Sequence, residues 1–263
     1  MENDMSGHPE IPIIETQLSA MMHEIYMQVA IGAGLAIMRG KPGIGKTFTN
    51  RHLIEKMRAE GVQVECVTVM PATGGSLSAF VRAALAAYRI EASSTSEGVE
   101  VLFNLIKGYP FRSYGPRSVL VVDEAQELKT SILETLRGLW DRGDQGRLGD
   151  STCPAFGLIL IGNDMFMGKN GGIHTAYFRP LLRRVTHNVS LPRPKSEEHV
   201  ALAKVLFPGR DELQEMIRSF GEDQGSFGAQ AVAARQARLI ATGKGEDVSE
   251  AHLRLAIRMM GGK

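Results

Sequence analysis

Gly40-Lys41-Pro42-Gly43-Ile44-Gly45-Lys46-Thr47 matches G-x-x-x-x-G-K-[ST] without a mismatch, a pattern whose residues each suit the wrapping of a polyphosphate. Gly40, Gly43 and Gly45 allow backbone angles that other residues avoid, so successive N–H groups can turn inward as an anion nest. Lys46 brings a positive charge to the β- and γ-phosphates, and the Thr47 hydroxyl suits a Mg²⁺ ion. A second group of residues carries complementary chemistry. Ser118-Val119-Leu120-Val121-Val122-Asp123-Glu124 is an apolar run ending in two carboxylates. Asp123 is placed to hold the metal shell, and Glu124 to polarise an attacking water. Adjacent Asp and Glu favour a hydrolase over a small-molecule kinase. A third run, Phe156 to Asn163, ends in a polar Asn suited to orienting that water or touching the γ-phosphate. Phe178-Arg179-Pro180-Leu181-Leu182-Arg183-Arg184-Val185 offers arginines that a neighbouring subunit's nucleotide can use.

These groups need elements to hold them. Leu35 to Met38 reads as a short buried strand before the loop, and Thr47 to Arg58 as a helix whose N-terminus faces the phosphates. The unbroken apolar run 118–122 suits a central strand of a parallel sheet, whose carboxyl edge is where such sheets bind ligands. Val62 to Val69 reads as a further strand, broken by Pro71-Ala72-Thr73-Gly74-Gly75, and Thr186 to Ser190 as the last. Helices are expected over Glu15–Ala30, Ser76–Tyr88, Val99–Lys107 and Thr130–Asp141, with Glu91–Glu97 a polar loop. Leu191-Pro192-Arg193-Pro194-Lys195 cannot continue a strand or helix and reads as a linker. Beyond it the helical period returns in Ser196–Leu206, Asp211–Phe220, Gly228–Ala241 and Val248–Met259. Strands alternating with helices, then helices alone, predict an α/β parallel-sheet sandwich followed by a small α-helical lid. The expected division is a disordered N-terminus over 1–10, a nucleotide-binding core over 11–191 and the lid over 196–263.

Composition narrows the setting. A hydrophobic share of 43% and a charged share of 22% are those of an ordinary globular protein, and no apolar run approaches the roughly 20 residues that span a bilayer. The acidic, polar N-terminus is not expected to serve as a signal peptide. Two cysteines, Cys66 and Cys153, are too few for a disulfide framework or a zinc site, so a reducing cytoplasm is expected and Cys66 is read as a small buried hydrophobe. A net charge of +1 leaves any DNA surface to local clustering. Candidate basic residues for DNA are Lys107, Arg112, Arg117, Lys129, Arg142, Arg147 and Lys169. Contacts of this type go to phosphates without base readout.

Phosphate loop, Asp-Glu strand, Asn-ended strand and trailing arginines, in this order, resemble a P-loop AAA+ ATPase core. Within that superfamily the chain resembles the DNA-transposition regulators of MuB/TnsC/TniB type. Val121 to Leu128, Leu136 to Asp141, Leu160 to Asp164 and Phe178 to Val185 carry the likeness, which covers roughly residues 11–260. The resemblance implies nucleotide contacts from Gly40, Lys41, Pro42, Gly43, Ile44, Gly45, Lys46, Thr47, Phe48 and Asp123. It implies Thr47 and Asp123 as metal ligands, Asp123 and Glu124 as Walker B with Glu124 the catalytic carboxylate, and Asn163 as sensor 1. Arg184 is the first choice for an arginine finger, with Arg183 and Arg179 behind it. It further implies ATP and Mg²⁺ as cofactors, and duplex DNA, further copies of the chain in a ring or helical filament, and a transposase as partners, in a bacterial or phage-infected cell.

Two features depart from the pattern. Gly143 to Ser151 stand where a short turn suffices, and Gly225 to Gln230 hold no sensor-2 arginine, for which Arg235 is a poor substitute. Weak hydrolysis, or hydrolysis completed only in an assembly, is therefore expected. MuB itself is longer, with an N-terminal DNA-binding region that this chain is expected to lack. Rival readings within the same motifs are a helicase loader or initiator, an ExeA-like assembly ATPase indifferent to DNA, and a nucleotide-binding scaffold with little turnover.

Overall fold

The computed structural model describes residues 14–86, 88–107, 118–142, 154, 156–166 and 175–262, without the side chains of 175–178. Among these, 14–20, 41–45 and 192–262 form one compact unit, and 21–40 with 46–191 form the other. The segment 41–45 of the glycine loop thus clusters with the C-terminal helices.

The larger unit is built on five parallel strands, β1 (Leu35–Arg39), β2 (Val64–Thr68), β3 (Val119–Asp123), β4 (Gly157–Gly162) and β5 (His187–Ser190), in the spatial order β2-β3-β4-β1-β5. Parallel strands need covered faces, and the three central ones show it: β3 and β4 are buried at every residue and β1 at all but Arg39. The edge strands β2 and β5 keep exposed positions. Period-two alternation sends Leu35, Ile37, Leu120, Val122, Leu158 and Leu160 into one core with Phe80, Leu102, Ile132, Leu136 and Trp140. Each fully buried Leu or Ile in such a layer contributes about 1.5–3 kcal/mol over exposure. The Trp140 indole N–H donates to the Ala33 carbonyl at 3.2 Å, fastening the end of its helix beside β1.

Among the described residues, seven helices accompany the strands: α1 (Gln17–Gly32), α2 (Lys46–Ala59), α3 (Pro71–Gly74), α4 (Leu77–Ala86), α5 (Thr95–Ile106), α6 (Thr130–Asp141) and α7 (Thr175–Leu182). Two differ from expectation. Pro71, read as a breaker, instead opens the single turn α3, since proline at the first helical position loses no hydrogen bond. The stretch read as a polar loop before Val99 supplies the first turn of α5. Ser94 Oγ accepts the Glu97 N–H at 3.2 Å while the Glu97 carboxylate takes the Ser93 N–H at 2.8 Å, a reciprocal cap.

The smaller unit contains α8 (Ser196–Leu206), α9 (Asp211–Gln224), α10 (Phe227–Lys244) and α11 (Glu250–Met259), packed around Leu206, Ile217, Phe220, Ala233, Ala237, Leu253 and Ile257. Helices α9 and α10 run several residues beyond their expected ends. Each stops at a glycine in the left-handed region, Gly225 (φ 59°) and Gly245 (φ 69°). Gln230 and His199 are buried but paired: Gln230 Oε1 meets His199 Nδ1 at 2.6 Å and its Nε2 donates to the His199 carbonyl at 3.3 Å.

Candidate nucleotide-hydrolysis site

The strand order decides what meets at the carboxyl edge of the sheet. Because β4 inserts between β1 and β3, the end of β4 stands between the start of the glycine loop and the acidic end of β3. Register keeps those ends level: Arg39 pairs with Gly162, and Leu160 with both Ile37 and Val122. The Gly40 N–H donates to the Gly162 carbonyl at 3.2 Å, tying the loop's first residue to the strand that carries Asn163. Lys46, Asp123, Glu124 and Asn163, scattered over more than a hundred residues of chain, come to one edge.

Gly43 and Gly45 adopt φ of 81° and 100°, angles that would strain any residue with a Cβ. The Gly43 carbonyl accepts the Gly228 N–H at 2.9 Å and the Ser226 hydroxyl at 3.2 Å, and a Cβ on Gly43 would lie 2.2 Å from that hydroxyl oxygen. Lys41, Pro42 and Phe48 are exposed and Ile44 is buried. The loop is followed at once by α2, whose first N–H groups have no partner within the helix.

Lys46 is buried, with Nζ donating to the Gly40 carbonyl at 2.8 Å. Burial pushes its pKa down, while Glu124, Asp123 and Asp164 favour the ammonium and oppose that shift. Asp123 is buried as well. Burial raises its pKa from the ordinary aspartate value against the opposing pull of the Thr47 hydroxyl and the Glu124 N–H, the latter bonded to Oδ1 at 2.9 Å. Oδ2 is buried without any hydrogen-bond partner. An orphaned carboxylate oxygen next to a threonine hydroxyl is a donor set that a hard divalent cation satisfies. Among the described residues, no three His, Cys, Asp or Glu side chains are grouped to hold a metal by themselves. A cation held here would need further oxygens to complete its shell, as phosphate supplies to Mg²⁺.

Glu124 sits at φ 57°, one of three non-glycine residues with positive φ among the described residues. That conformation costs about 1–2 kcal/mol and is held only where the surroundings over-determine it. It turns the chain sharply out of β3 into the 3-10 turn Ala125–Glu127. Asn163 follows β4, and its Oδ1 accepts the Met165 N–H at 3.0 Å.

A glycine loop, a buried lysine, an orphaned carboxylate oxygen and a second acid on a strained turn are residue types suited to a polyphosphate and a divalent cation, and comparison with known proteins fits this. The sequence model of the AAA domain matches residues 30–166, just over half of the chain. The chain belongs to the AAA domain family. It is 25% identical over 252 residues to the ATP-dependent target DNA activator B of Escherichia phage Mu, and 26% identical over 253 residues to that of Escherichia phage D108. Each match takes in 95% of this chain and 74% of the relative, so the MuB-type resemblance holds as a distant relationship along nearly the whole chain. The Aeropyrum pernix ORC1 protein, solved in complex with DNA, shares the fold with a TM-score of 0.68 at 16% identity, over 95% of this chain and 67% of that one.

Other expected residues of this AAA domain fall in different places. Arg184 is engaged within its own chain: Nε pairs with Asp141 Oδ1 at 2.6 Å and NH1 donates to the Pro180 carbonyl at 2.6 Å. Asp141 also takes Arg137 at 2.8 Å, so it holds two guanidinium groups. Arg179 and Arg183 are exposed. Of the candidate DNA residues, Lys107 and Arg142 are brought together over the Phe103 ring, at 5.7 Å and 4.3 Å from its centroid, and Arg142 is paired with Glu100 at 2.8 Å. Lys129 is exposed ahead of α6, away from that pair in sequence. Arg112, Arg117, Arg147, Lys169 and the insertion 143–151 lie outside the described residues. Cys66, read as a buried hydrophobe, is half-buried and accepts the Asn50 amide at 3.6 Å, because its strand lies at the sheet edge. Two polar residues were not singled out from sequence. Asp164 acts on Lys46, and Gln126 bonds to both Glu124 and Asn163.

The raised pKa of Asp123 has a measurable consequence. With the folded pKa above the unfolded one, the protonated form stabilises the fold below the unfolded pKa, and that contribution is lost as pH rises through the folded pKa. Asp123→Asn is therefore expected to raise the nucleotide-free Tm at neutral pH, with the gain vanishing below the ordinary aspartate range. Calorimetry at both pH values checks it; a lower Tm at neutral pH would show that the buried charge is compensated.

Proposed function

We propose that the chain is an ATP-hydrolysing regulator that assembles in many copies along duplex DNA without strong sequence preference, and selects target sites for a transposase that it activates. The observation that carries the reading is the distant relationship to the phage target DNA activators along 95% of the chain, together with the site residues at one sheet edge. ATP and Mg²⁺ are the cofactors of this reading, with Thr47 and Asp123 holding the ion among phosphate oxygens. Bound there, the ion supplies charge neutralisation at the phosphates. Lys46 contributes a fixed charge, Glu124 takes the proton of the attacking water, and Asn163 holds that water or the γ-phosphate. Arg184 acts in a neighbouring copy's site, which requires it to exchange Asp141 for phosphate. Loss of the γ-phosphate then weakens the contact between copies, giving a nucleotide-timed assembly.

A net charge of +1 is compatible with DNA coating. When many copies bind as a unit, effective concentration makes one or two weak phosphate contacts per copy sufficient. Negative-stain microscopy with random-sequence duplex DNA, with and without a non-hydrolysable ATP analogue, tests the reading. Continuous filaments or stacked rings only with nucleotide are the expected result. Short defined oligomers that do not coat DNA would favour a loader or initiator, and isolated particles indifferent to DNA an assembly ATPase acting on protein.

A further inference from the structure

The Gln126 side chain spans two of the proposed catalytic groups. Its Nε2 donates to Glu124 Oε2 at 2.5 Å, and its Oε1 accepts the Asn163 backbone N–H at 3.1 Å. This amide orientation satisfies both partners, since a carboxylate accepts and a backbone N–H donates. Gln126 itself is half-buried on the 3-10 turn that the left-handed Glu124 initiates. The side chain thus joins the end of β3 to the backbone just beyond β4.

From this bridge we infer that Gln126 is a positioning residue that restrains Glu124 and couples its release to Asn163. The inference rests on the reading of Glu124 as the proton acceptor. A carboxylate oxygen held by an amide donor is fixed in direction and is not free to turn toward an attacking water. In the free chain the bridge therefore keeps hydrolysis low. When Asn163 engages a γ-phosphate in an assembled site, its backbone shifts, Oε1 loses its donor and the amide no longer fixes the carboxylate. The turn is suited to this role because the strained backbone of Glu124 is kept in place by its neighbours, Gln126 among them.

The test compares steady-state ATPase rates of the full chain, alone and with random duplex DNA. Gln126→Met removes both hydrogen bonds at nearly constant volume, and Gln126→Glu keeps an acceptor for Asn163 while removing the donor to Glu124. Both are expected to raise the DNA-free kcat about tenfold, the worth of one hydrogen bond to a charged group, with KM for ATP changed by less than about twofold. The stimulation given by DNA falls by the same factor. A purely structural role predicts lower kcat or altered KM, and unchanged or reduced DNA-free kcat in a variant that melts like the parent overturns the inference. Glu124→Gln combined with Gln126→Met separates the two readings. An inactive double variant keeps Glu124 as acceptor, whereas turnover equal to Gln126→Met alone shows that Glu124, and with it the coupling, was misassigned.

Discussion

Lys46→Ala is expected to lose ATP-dependent assembly on DNA altogether and to weaken ATP binding by about 10- to 100-fold, the range for one hydrogen bond to a charged partner. The side chain reaches from the first turn of α2 to the Gly40 carbonyl, so its ammonium spans the mouth of the loop. Burial works against that charge, and three acids sustain it. Removal has two effects that point the same way. The phosphates lose a cation, and Asp123, Glu124 and Asp164 lose the charge they face, leaving a net negative edge that repels a polyanion. Lys46→Arg is not a rescue, because a planar guanidinium does not fit a site built for a compact ammonium. Titration with a fluorescent nucleotide and microscopy on DNA give the two readouts. Assembly that survives the substitution would separate it from nucleotide binding and sink the proposed timing.

Much of this site was legible because its residues are dictated locally. A glycine at φ 81° and another at φ 100° are needed wherever the loop occurs, so their spacing marks it in the sequence. Likewise the apolar run before Asp123 announces a strand buried on both faces, since an exposed strand would alternate. What was not legible depends on distant chain. The insertion of β4 between β1 and β3 is a matter of pairing, which apolar strands of similar length leave open. Gln126 looks like any polar turn residue until its partner 37 residues away is placed. Arg184 reads as a finger for a neighbouring copy's nucleotide, and only the structure shows that Asp141, 43 residues earlier, holds it within its own chain. The helix ends fall between these cases. Ser94 with Glu97, and the glycines at 225 and 245, are sequence signals whose meaning is local, but periodicity alone passes over them.

Glu124→Gln is expected to reduce turnover by about 10²- to 10⁴-fold, the span attributed to a positioned general base, while ATP binding persists. The substitution is close to isosteric. The Gln126 Nε2–H still finds an acceptor oxygen, so the left-handed turn and the bridge to Asn163 remain in place. What changes is charge: an amide cannot take the proton of water, and one negative charge facing Lys46 is gone. A less acidic edge holds a polyphosphate as well as or better than before, so the variant should bind ATP, assemble on DNA and stay there. Single-turnover measurements with labelled ATP, beside filament lifetimes after dilution, separate chemistry from assembly. Hydrolysis at the parental rate would remove Glu124 from the mechanism and move attention to Asp164, the remaining acid that faces Lys46 without a place in the proposed metal site. Slow hydrolysis with short-lived filaments would instead keep the base and detach disassembly from nucleotide loss, because the cross-copy contact through Arg184 would then be failing for a reason other than the missing γ-phosphate.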